Sequence, residues 1–141
     1  MKRIVIDTCV IVSAFRSKTG ASNALLNAIA DGMIKPLVST ALFLEYQEVL
    51  LREAQMKVHG FAAEDVQDAL AEFAQMSEPV DIYYKWRPQL RDPMDEMVLE
   101  AAVAGGADAL VTYNVRDFAE ASLRFGLKVV RPGEFLKGML Q

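Results

Sequence analysis

Three carboxylates in this sequence stand among apolar neighbours, where a charged group needs a cation or hydrogen-bond donors to offset its desolvation. Asp7 directly follows the β-branched run 4–6. Glu45 lies three residues after Leu42 on the apolar side of a helical pattern, and Asp95 lies on the apolar side of another. Carboxylate oxygens are the ligands that Mg²⁺ and Mn²⁺ prefer, so these residues could form the acidic core of a divalent metal site.

Two further polar residues follow the apolar run 109–111 and extend the possible ligand set. Asn114 could coordinate a metal directly or orient a metal-bound water, and Asp117 lies three residues later. The structural alternative is a turn in which Asp117 caps a short helix that begins near Phe118. At this point the sequence leaves both interpretations open.

The first two acids also have purely structural interpretations. Asp7 could cap the helix that follows it, as aspartates commonly do. Glu45 could form a salt bridge at the edge of its stripe, for example with Arg52. Glu48, however, is four residues from Arg52, which is the spacing of an ion pair on one helix. A residue from elsewhere in the chain could also pair with Glu45. We favour the functional interpretation of Glu45.

The third acid lies in the first turn of a predicted helix. Asp92 is a good N-cap, and Pro93 suits the first helical position. Asp95 falls at the third position, where it could complete a capping box. Its helical alignment with Val98 and Leu99 turns it towards the apolar side of the helix, however. We therefore interpret Asp92 as the cap and Asp95 as the candidate ligand.

The elements that must position these residues alternate along the chain. Apolar runs predict buried strands at 4–6, 35–38, 109–111 and 128–130, with a short edge strand at 79–82. Helical patterns cover about 8–30 with a break at 16–20, then 40–57, 62–76, 93–104 and 132–139. This alternation predicts a three-layer α/β/α sandwich with a mainly parallel central sheet of four to five strands. Ligands of such sheets bind beyond the carboxyl ends of the strands, where Asp7 and Asn114 lie.

The composition restricts the class of protein. The 141 residues, 52% hydrophobic and 24% charged, predict one globular domain over 1–141. A net charge of −4 counts against a protein that binds duplex nucleic acid over its whole surface, but not against an enzyme that clusters carboxylates around cations. Cys9 is the single cysteine, so no internal disulfide can form. The first apolar run ends at Asp7, too early for a signal peptide, so we expect a cytoplasmic protein without a membrane span.

Four motifs occur in an order that is more specific than any one of them. They are IVIDT at 4–8, STALFLEY at 39–46, RDPMDE at 91–96 and ADALVTYNVRDF at 107–118. In this order the sequence resembles the PIN-domain family over essentially its whole length. More narrowly, it resembles the VapC-like toxin components of bacterial toxin–antitoxin pairs.

The resemblance implies roles for particular residues. Asp7, Glu45 and Asp95 match the three main acidic positions of the family. Many members carry a fourth aspartate where this sequence has Asn114, with Asp117 three residues later. The amide removes one negative charge, which should weaken binding at a second metal position. The family pattern further implies that Thr8 or Thr112 helps to orient ligands or phosphate.

The resemblance also implies an activity and partners. Similar proteins are Mg²⁺- or Mn²⁺-dependent endoribonucleases that hydrolyse single-stranded RNA and leave a 5′-phosphate and a 3′-hydroxyl. They form homodimers and are neutralised by an antitoxin, which places a helix in a hydrophobic groove and a basic side chain near the acids. The aromatic and basic segment 83–87 could stack on RNA bases. We favour the alternative for this segment, a partly buried aromatic loop.

Other chemistries fit the sequence less well. Zinc is a poor candidate because its usual ligands are restricted to His59 and Cys9, which are far apart in the chain. With a single histidine, a two-histidine acid–base cleavage is excluded. A haloacid-dehalogenase-like phosphatase needs a second aspartate where Cys9 stands, and a response-regulator receiver needs adjacent acids near the first strand. The remaining rival is a catalytically impaired PIN-like module that only binds RNA or a partner, which Asn114 favours.

Overall fold

The computed structural model describes residues 1–82 and 92–139, and these residues form a sheet surrounded by helices. The strands are β1 (Lys2–Ile6), β2 (Ile34–Val38), β3 (Glu78–Pro79), β4 (Ala109–Val111) and β5 (Val129–Val130). The helices are α1 (Thr8–Arg16), α2 (Ala21–Ala30), α3 (Thr40–Leu50), α4 (Glu53–His59), α5 (Ala63–Met76), α6 (Pro93–Gly105), α7 (Ala119–Phe125) and α8 (Pro132–Met139). A 3-10 helix, Val115–Phe118, precedes α7.

The sheet has the strand order β3-β2-β1-β4-β5, and every neighbouring pair is parallel. The central strand β1 is buried on both faces, since Ile4, Val5 and Ile6 alternate in direction and all are 0% exposed. Helices therefore cover both sides of the sheet. The predicted α/β/α sandwich with four to five mainly parallel strands is confirmed, and the predicted edge strand at 79–82 is the shorter β3.

Parallel pairing brings the carboxyl ends of the central strands to one edge. Ile6 lies beside Val111 in the register of β1 and β4, and the backbone N–H of Asp7 donates to the carbonyl of Val111 at 2.9 Å. The buried hydroxyl of Tyr46, on α3, donates to the carbonyl of Ile6. This bond fixes α3 against the end of β1. The residues that follow β1 and β4 and the middle of α3 consequently share one edge of the molecule.

One predicted helix is wrong in extent. The pattern at 40–57 predicts a single long helix, but α3 ends at Leu50 and α4 begins at Glu53, with Arg52 extended at φ −62° and ψ 138°. The side chain of His59 hydrogen-bonds to the C-terminal end of α3, since its Nε2 lies 3.0 Å from the carbonyl oxygen of Leu50. The last carbonyls of a helix have no partner within the helix and need one from outside it. The chain thus folds back, and α4 packs against α1 as well as α3.

The other predicted helices agree with the structure within a residue or two, and α6 ends at Gly106 in the left-handed conformation, φ 61°. No helix within 1–82 or 92–139 is long and apolar enough to cross a membrane. The segment 83–87, predicted to be an aromatic loop, lies outside the described residues.

Candidate active site

A cleft of about 440 Å³ opens at the carboxyl edge of the sheet. It contains three of the predicted acids, the predicted amide and one of the two predicted threonines. Its lining among the described residues is Asp7, Thr8, Cys9, Val12, Ser13, Arg16, Glu45, Val49, Arg52, Asp92, Met94, Asp95 and Asn114. Residues from α1, α3, α6 and the segment after β4 thus meet in one place, although they are distant in sequence.

Asp7 occupies the N-cap position of α1 but does not act as its cap. The side chain is 5% exposed and, within the described chain, makes no capping hydrogen bond to the helix backbone. Its Oδ2 instead accepts from the hydroxyl of Thr112 at 2.6 Å and from the thiol of Cys9 at 3.3 Å. The capping interpretation of Asp7 is therefore wrong, and its carboxylate is oriented by residues at the cleft.

Thr112 lies behind this carboxylate rather than in the cleft lining. It is 0% exposed, and its hydroxyl oxygen also accepts from the backbone N–H of Asn114 at 2.9 Å. Because the hydroxyl donates a hydrogen bond to Asp7 and accepts one from Asn114, it links the end of β4 to the start of α1. Thr8, the other residue expected to orient ligands, lines the cleft directly.

Glu45 is buried in the cleft wall with its charge incompletely satisfied. The residue is 6% exposed, and its Oε1 has no hydrogen-bond partner among the described residues. Arg52 forms its ion pair with Glu48, at 2.9 Å, rather than with Glu45. Burial, and then the charge of Glu48, raise the pKa of the Glu45 carboxyl above its usual value. An oxygen of this kind needs a donor or a cation.

The two aspartates at the start of α6 have different surroundings. Asp92 caps the helix, since its Oδ1 accepts from the backbone N–H of Met94 at 2.9 Å. Asp95 is partly buried in the cleft. Burial, and then the charges of Asp7, Asp92 and Asp117, together raise the pKa of Asp95 to about 6. The cleft therefore holds more negative charge than it neutralises.

The two residues after β4 separate in the structure. Asn114 lines the cleft with its side chain exposed. Asp117 is exposed within the 3-10 helix and is not part of the described lining, although its charge acts on Asp95. Its backbone N–H donates to the carbonyl of Asn114, which turns the chain away from the cleft. Asp117 also precedes the N-cap position of α7, which Phe118 occupies, so the structural alternative in which Asp117 caps this helix is wrong.

The donor chemistry of the cleft suits Mg²⁺ or Mn²⁺, because every candidate ligand is an oxygen and one buried carboxylate oxygen is unsatisfied. In the part of the chain that the structure describes, no three Asp, Glu, His or Cys side chains are close enough together to enclose an ion. The two observations are compatible. Mg²⁺ usually keeps several waters and takes only one or two carboxylates from the protein.

Cys9, Ser13 and Arg16 line the cleft but were not predicted to be functional. Burial raises the pKa of the Cys9 thiol to about 11, so at neutral pH the group is a hydrogen-bond donor to Asp7 rather than a thiolate. The helical spacing of Thr8, Cys9, Ser13 and Arg16 could have identified this face of α1. Because these four residues differ in polarity, they do not form the regular stripe of an amphipathic helix, and the sequence pattern does not mark this face.

The PIN domain family matches residues 3–116 of the chain. This chain belongs to the PIN domain family. Members of the family are generally nucleases that use divalent metal ions, and the acidic cleft is the part of this PIN domain with the chemistry for that activity.

Solved structures match as well. One is the crystal structure of VapBC2 from Rickettsia felis bound to a DNA fragment from their promoter. It aligns with a TM-score of 0.59 and 17% sequence identity, over 92% of this chain and 97% of that chain. At this identity the similarity establishes the fold of the PIN domain. A search of curated proteins finds no match to the sequence.

Proposed function

We propose that this PIN domain is a Mg²⁺- or Mn²⁺-dependent endoribonuclease that hydrolyses the phosphodiester bonds of single-stranded RNA. The observation that carries the proposal is the orientation of Asp7. Its carboxylate is withdrawn from helix capping and bound by Thr112, in the same cleft as the unsatisfied Oε1 of Glu45. A protein that used these acids only for structure would be expected to satisfy them by local capping or ion pairing.

Asp7, Glu45 and Asp95 are the acids that would hold the cation, and the amide oxygen of Asn114 would supply a neutral ligand. Asp117, which lies outside the cleft lining, would contribute through its charge and not as a direct ligand. When bound, Mg²⁺ or Mn²⁺ lowers the pKa of a coordinated water and offsets negative charge on a phosphate. Without a cation these acids repel each other and would repel a phosphate. This mutual repulsion adds to burial, the larger cause, in raising the pKa of Asp95.

The remaining polar groups would prepare the site. Thr112 and Cys9 both donate hydrogen bonds to Oδ2 of Asp7. The other carboxylate oxygen, Oδ1, would then be the one that binds the cation. Thr8 begins α1 at the cleft, where its hydroxyl can contact a phosphate oxygen. Because Thr112 also fixes the backbone of Asn114, one buried hydroxyl positions two of the proposed metal-binding residues.

The biological setting follows from similarity and belongs to the same proposal. The Rickettsia felis structure contains VapBC2. We infer that this chain is likewise the toxin of a toxin–antitoxin pair, that it acts in the cytoplasm as a homodimer, and that a cognate antitoxin protein inhibits it. The antitoxin would place a basic side chain near Asp7, Glu45 and Asp95, because their shared negative charge attracts a cation.

A second function has one observation in its favour. Asn114 removes one of the negative charges that many family members carry, and the described acids do not converge around an ion. These features are typical of a catalytically impaired module that binds RNA or a partner without cleaving it. The buried, unsatisfied Glu45 weighs against this function, because a module that had lost its metal would gain stability by losing the acid.

The test is whether purified, antitoxin-free protein cleaves single-stranded RNA in Mn²⁺. One control replaces the metal with EDTA, and another uses the variant Asp95→Asn. We expect cleavage that requires metal and disappears in Asp95→Asn. Asp68→Asn is the matched control, because Asp68 is an exposed aspartate of α5 outside the cleft lining. Mn²⁺ binding without cleavage of a varied RNA panel would favour the impaired module. If the protein neither binds Mn²⁺ nor cleaves RNA, the nuclease proposal is refuted.

A further inference from the structure

The cleft extends from the acids along one face of α1 to an arginine at the end of the helix. It is lined by five residues of α1, whose spacings of three and four residues place them on one side of the helix: Thr8, Cys9, Val12, Ser13 and Arg16. At a rise of 1.5 Å per residue, the backbone of Arg16 lies about 12 Å from that of Thr8. The cleft thus has an acidic end and, more than one phosphate away, a basic end.

The charge of Arg16 is oriented but not neutralised. Its Nε and one terminal nitrogen both donate to Oε1 of Gln55, at 3.2 Å and 2.8 Å, and this acceptor is an uncharged amide. In the described ranges no carboxylate lies within ion-pair distance of Arg16, whereas Arg52 pairs with Glu48 at 2.9 Å. Within the described part of the chain, two of the five guanidinium N–H groups are used, and three remain to bind an anion.

Gln55 holds this arginine because the chain folds back after α3. A continuous helix from 40 to 57 would carry Gln55 onwards along its own axis, but the break at Arg52 lays α4 against α1. The two N–H groups that converge on one oxygen fix the plane of the guanidinium. A fixed, planar guanidinium matches the two oxygens of a phosphate better than a mobile cation does.

We propose that Arg16, positioned by Gln55, forms a second phosphate subsite that binds the RNA backbone a few nucleotides from the scissile bond. The inference rests on the proposed function, since it identifies how the same cleft holds its substrate. A stacked strand carries a phosphate about every 3.4 Å, so about 12 Å corresponds to three or four nucleotides. A polyanion of this length would meet the metal-binding acids at one end and Arg16 at the other.

Binding measurements on an uncleaved strand test the subsite directly. The protein carries Asp95→Asn to prevent turnover, and the probe is a fluorescein-labelled single-stranded RNA of about 12 nucleotides, long enough to span the cleft. Anisotropy titrations in Mn²⁺ at several KCl concentrations give Kd and its salt dependence. We expect Arg16→Ala to weaken Kd about tenfold and to reduce the slope of log K against log salt by about 0.7, the contribution of one phosphate contact.

Three further variants separate charge from orientation. Arg16→Lys should keep the salt slope and weaken Kd by only about threefold, because the charge remains while the planar contact is lost. Gln55→Ala should do the same, since it frees the guanidinium without removing it. Arg131→Ala is the matched control, because Arg131 is an exposed arginine outside the cleft lining and is paired with Glu134. It should change neither Kd nor the slope.

Cleavage kinetics with Asp95 intact provide a second readout. Arg16→Ala should raise KM and leave kcat within about twofold, as expected for a residue that binds substrate away from the reacting bond. The proposal is overturned if Arg16→Ala binds RNA as Arg131→Ala does, or if the Asp95→Asn background binds no RNA. The proposal is also overturned if Arg16→Ala weakens the binding of polyglutamate but not that of RNA, a result that would favour an acidic protein partner. Arg16-dependent RNA binding without wild-type cleavage would uphold the subsite and refute the nuclease.

Discussion

The helices α1 and α6 both begin directly after an aspartate, yet the two aspartates make different bonds. Asp92 accepts from Met94, two residues away, and caps α6. Asp7 holds the equivalent position before α1, but it accepts from Thr112, which is 105 residues away. The position of an acid relative to a helix therefore does not by itself determine whether its carboxylate caps that helix. The residue that the fold places beside its carboxylate decides it.

The largest expected difference between the two aspartates is in catalysis. Asp7→Asn should reduce kcat for RNA cleavage in Mn²⁺ by more than about 100-fold, because it removes a proposed metal ligand. Asp92→Ser removes a charge at the same cleft but keeps a good N-cap residue, so it should change kcat by less than about threefold. Single-turnover cleavage assays measure both. Similar losses in the two variants would show that the cleft requires its overall charge and not a particular carboxylate.

The next effect concerns the hydroxyl that distinguishes Asp7. Thr112→Val keeps the shape of the side chain but leaves Oδ2 of Asp7 without its donor at 2.6 Å. We expect Mn²⁺ affinity, measured by isothermal titration calorimetry, to fall about 10- to 100-fold, the range found for groups that orient metal ligands. Because the buried carboxylate loses a hydrogen-bond donor, the free energy of unfolding should also fall by about 1–3 kcal/mol.

Thr112→Ser tests whether the hydroxyl itself is responsible. It restores the donor and the acceptor for Asn114, so Mn²⁺ affinity should return to within about threefold of the wild type. If Thr112→Val binds Mn²⁺ normally, Thr112 only packs beneath the site, and the contrast between Asp7 and Asp92 has no functional meaning.

In the metal-free protein, the cap Asp92 should matter more for stability than the proposed ligand Asp7. Asp92→Ala removes the bond to Met94 and should lower the free energy of unfolding by about 1 kcal/mol. Asp7→Asn relieves repulsion among the cleft acids while its amide oxygen still accepts from Thr112. The metal-free variant should therefore be as stable as the wild type, or more stable.

Thermal melts with and without Mn²⁺ measure both effects together. Mn²⁺ should raise the Tm of the wild type and of Asp92→Ala but not that of Asp7→Asn, since only the last loses a ligand. Strong destabilisation of metal-free Asp7→Asn would instead assign Asp7 to the support of the fold.

The same contrast explains how much of the molecule is predictable from its sequence. The strands, most helices, the Asp92 cap and the ion pair of Glu48 with Arg52 depend on residues a few positions apart, and their patterns are visible in the chain. The common edge for Asp7 and Asn114 also follows from parallel strands. These predictions need no knowledge of distant contacts.

The remaining features depend on contacts between distant segments. The break at Arg52 depends on α4 packing against α1 and on His59 reaching the end of α3, so a continuous helical pattern conceals it. Gln55 becomes a partner of Arg16 only after that break. The unsatisfied oxygen of Glu45 depends on its burial against other segments, which the local ion pair of Arg52 with Glu48 does not reveal. No local spacing distinguishes these outcomes from their alternatives.

The smallest expected effect is the pH dependence of the metal-free protein, and it distinguishes Asp95 from Asp92 within α6. The pKa of Asp95 is raised from 3.8 to about 6 in the folded state. The folded protein therefore binds this proton more tightly than the unfolded chain does, and the free energy of unfolding should rise as the pH falls through 6 and fall as the pH rises through it. Because the carboxyl is partly solvated, we expect a gain of about 0.5–1 kcal/mol between pH 7.5 and pH 5.

Urea denaturation in EDTA at both pH values measures this gain. Asp95→Asn should remove most of it, leaving the smaller part that comes from the raised pKa of Glu45. Asp92→Asn should retain most of it, since Asp92 raises the pKa of Asp95 less than burial and Asp7 do. Mn²⁺ competes with protons for the same oxygens and should reverse the trend, so that the metal-loaded protein is more stable at pH 7.5. A gain that survives Asp95→Asn unchanged would assign the responsible proton to another group, such as Glu45, and would contradict a raised pKa at Asp95.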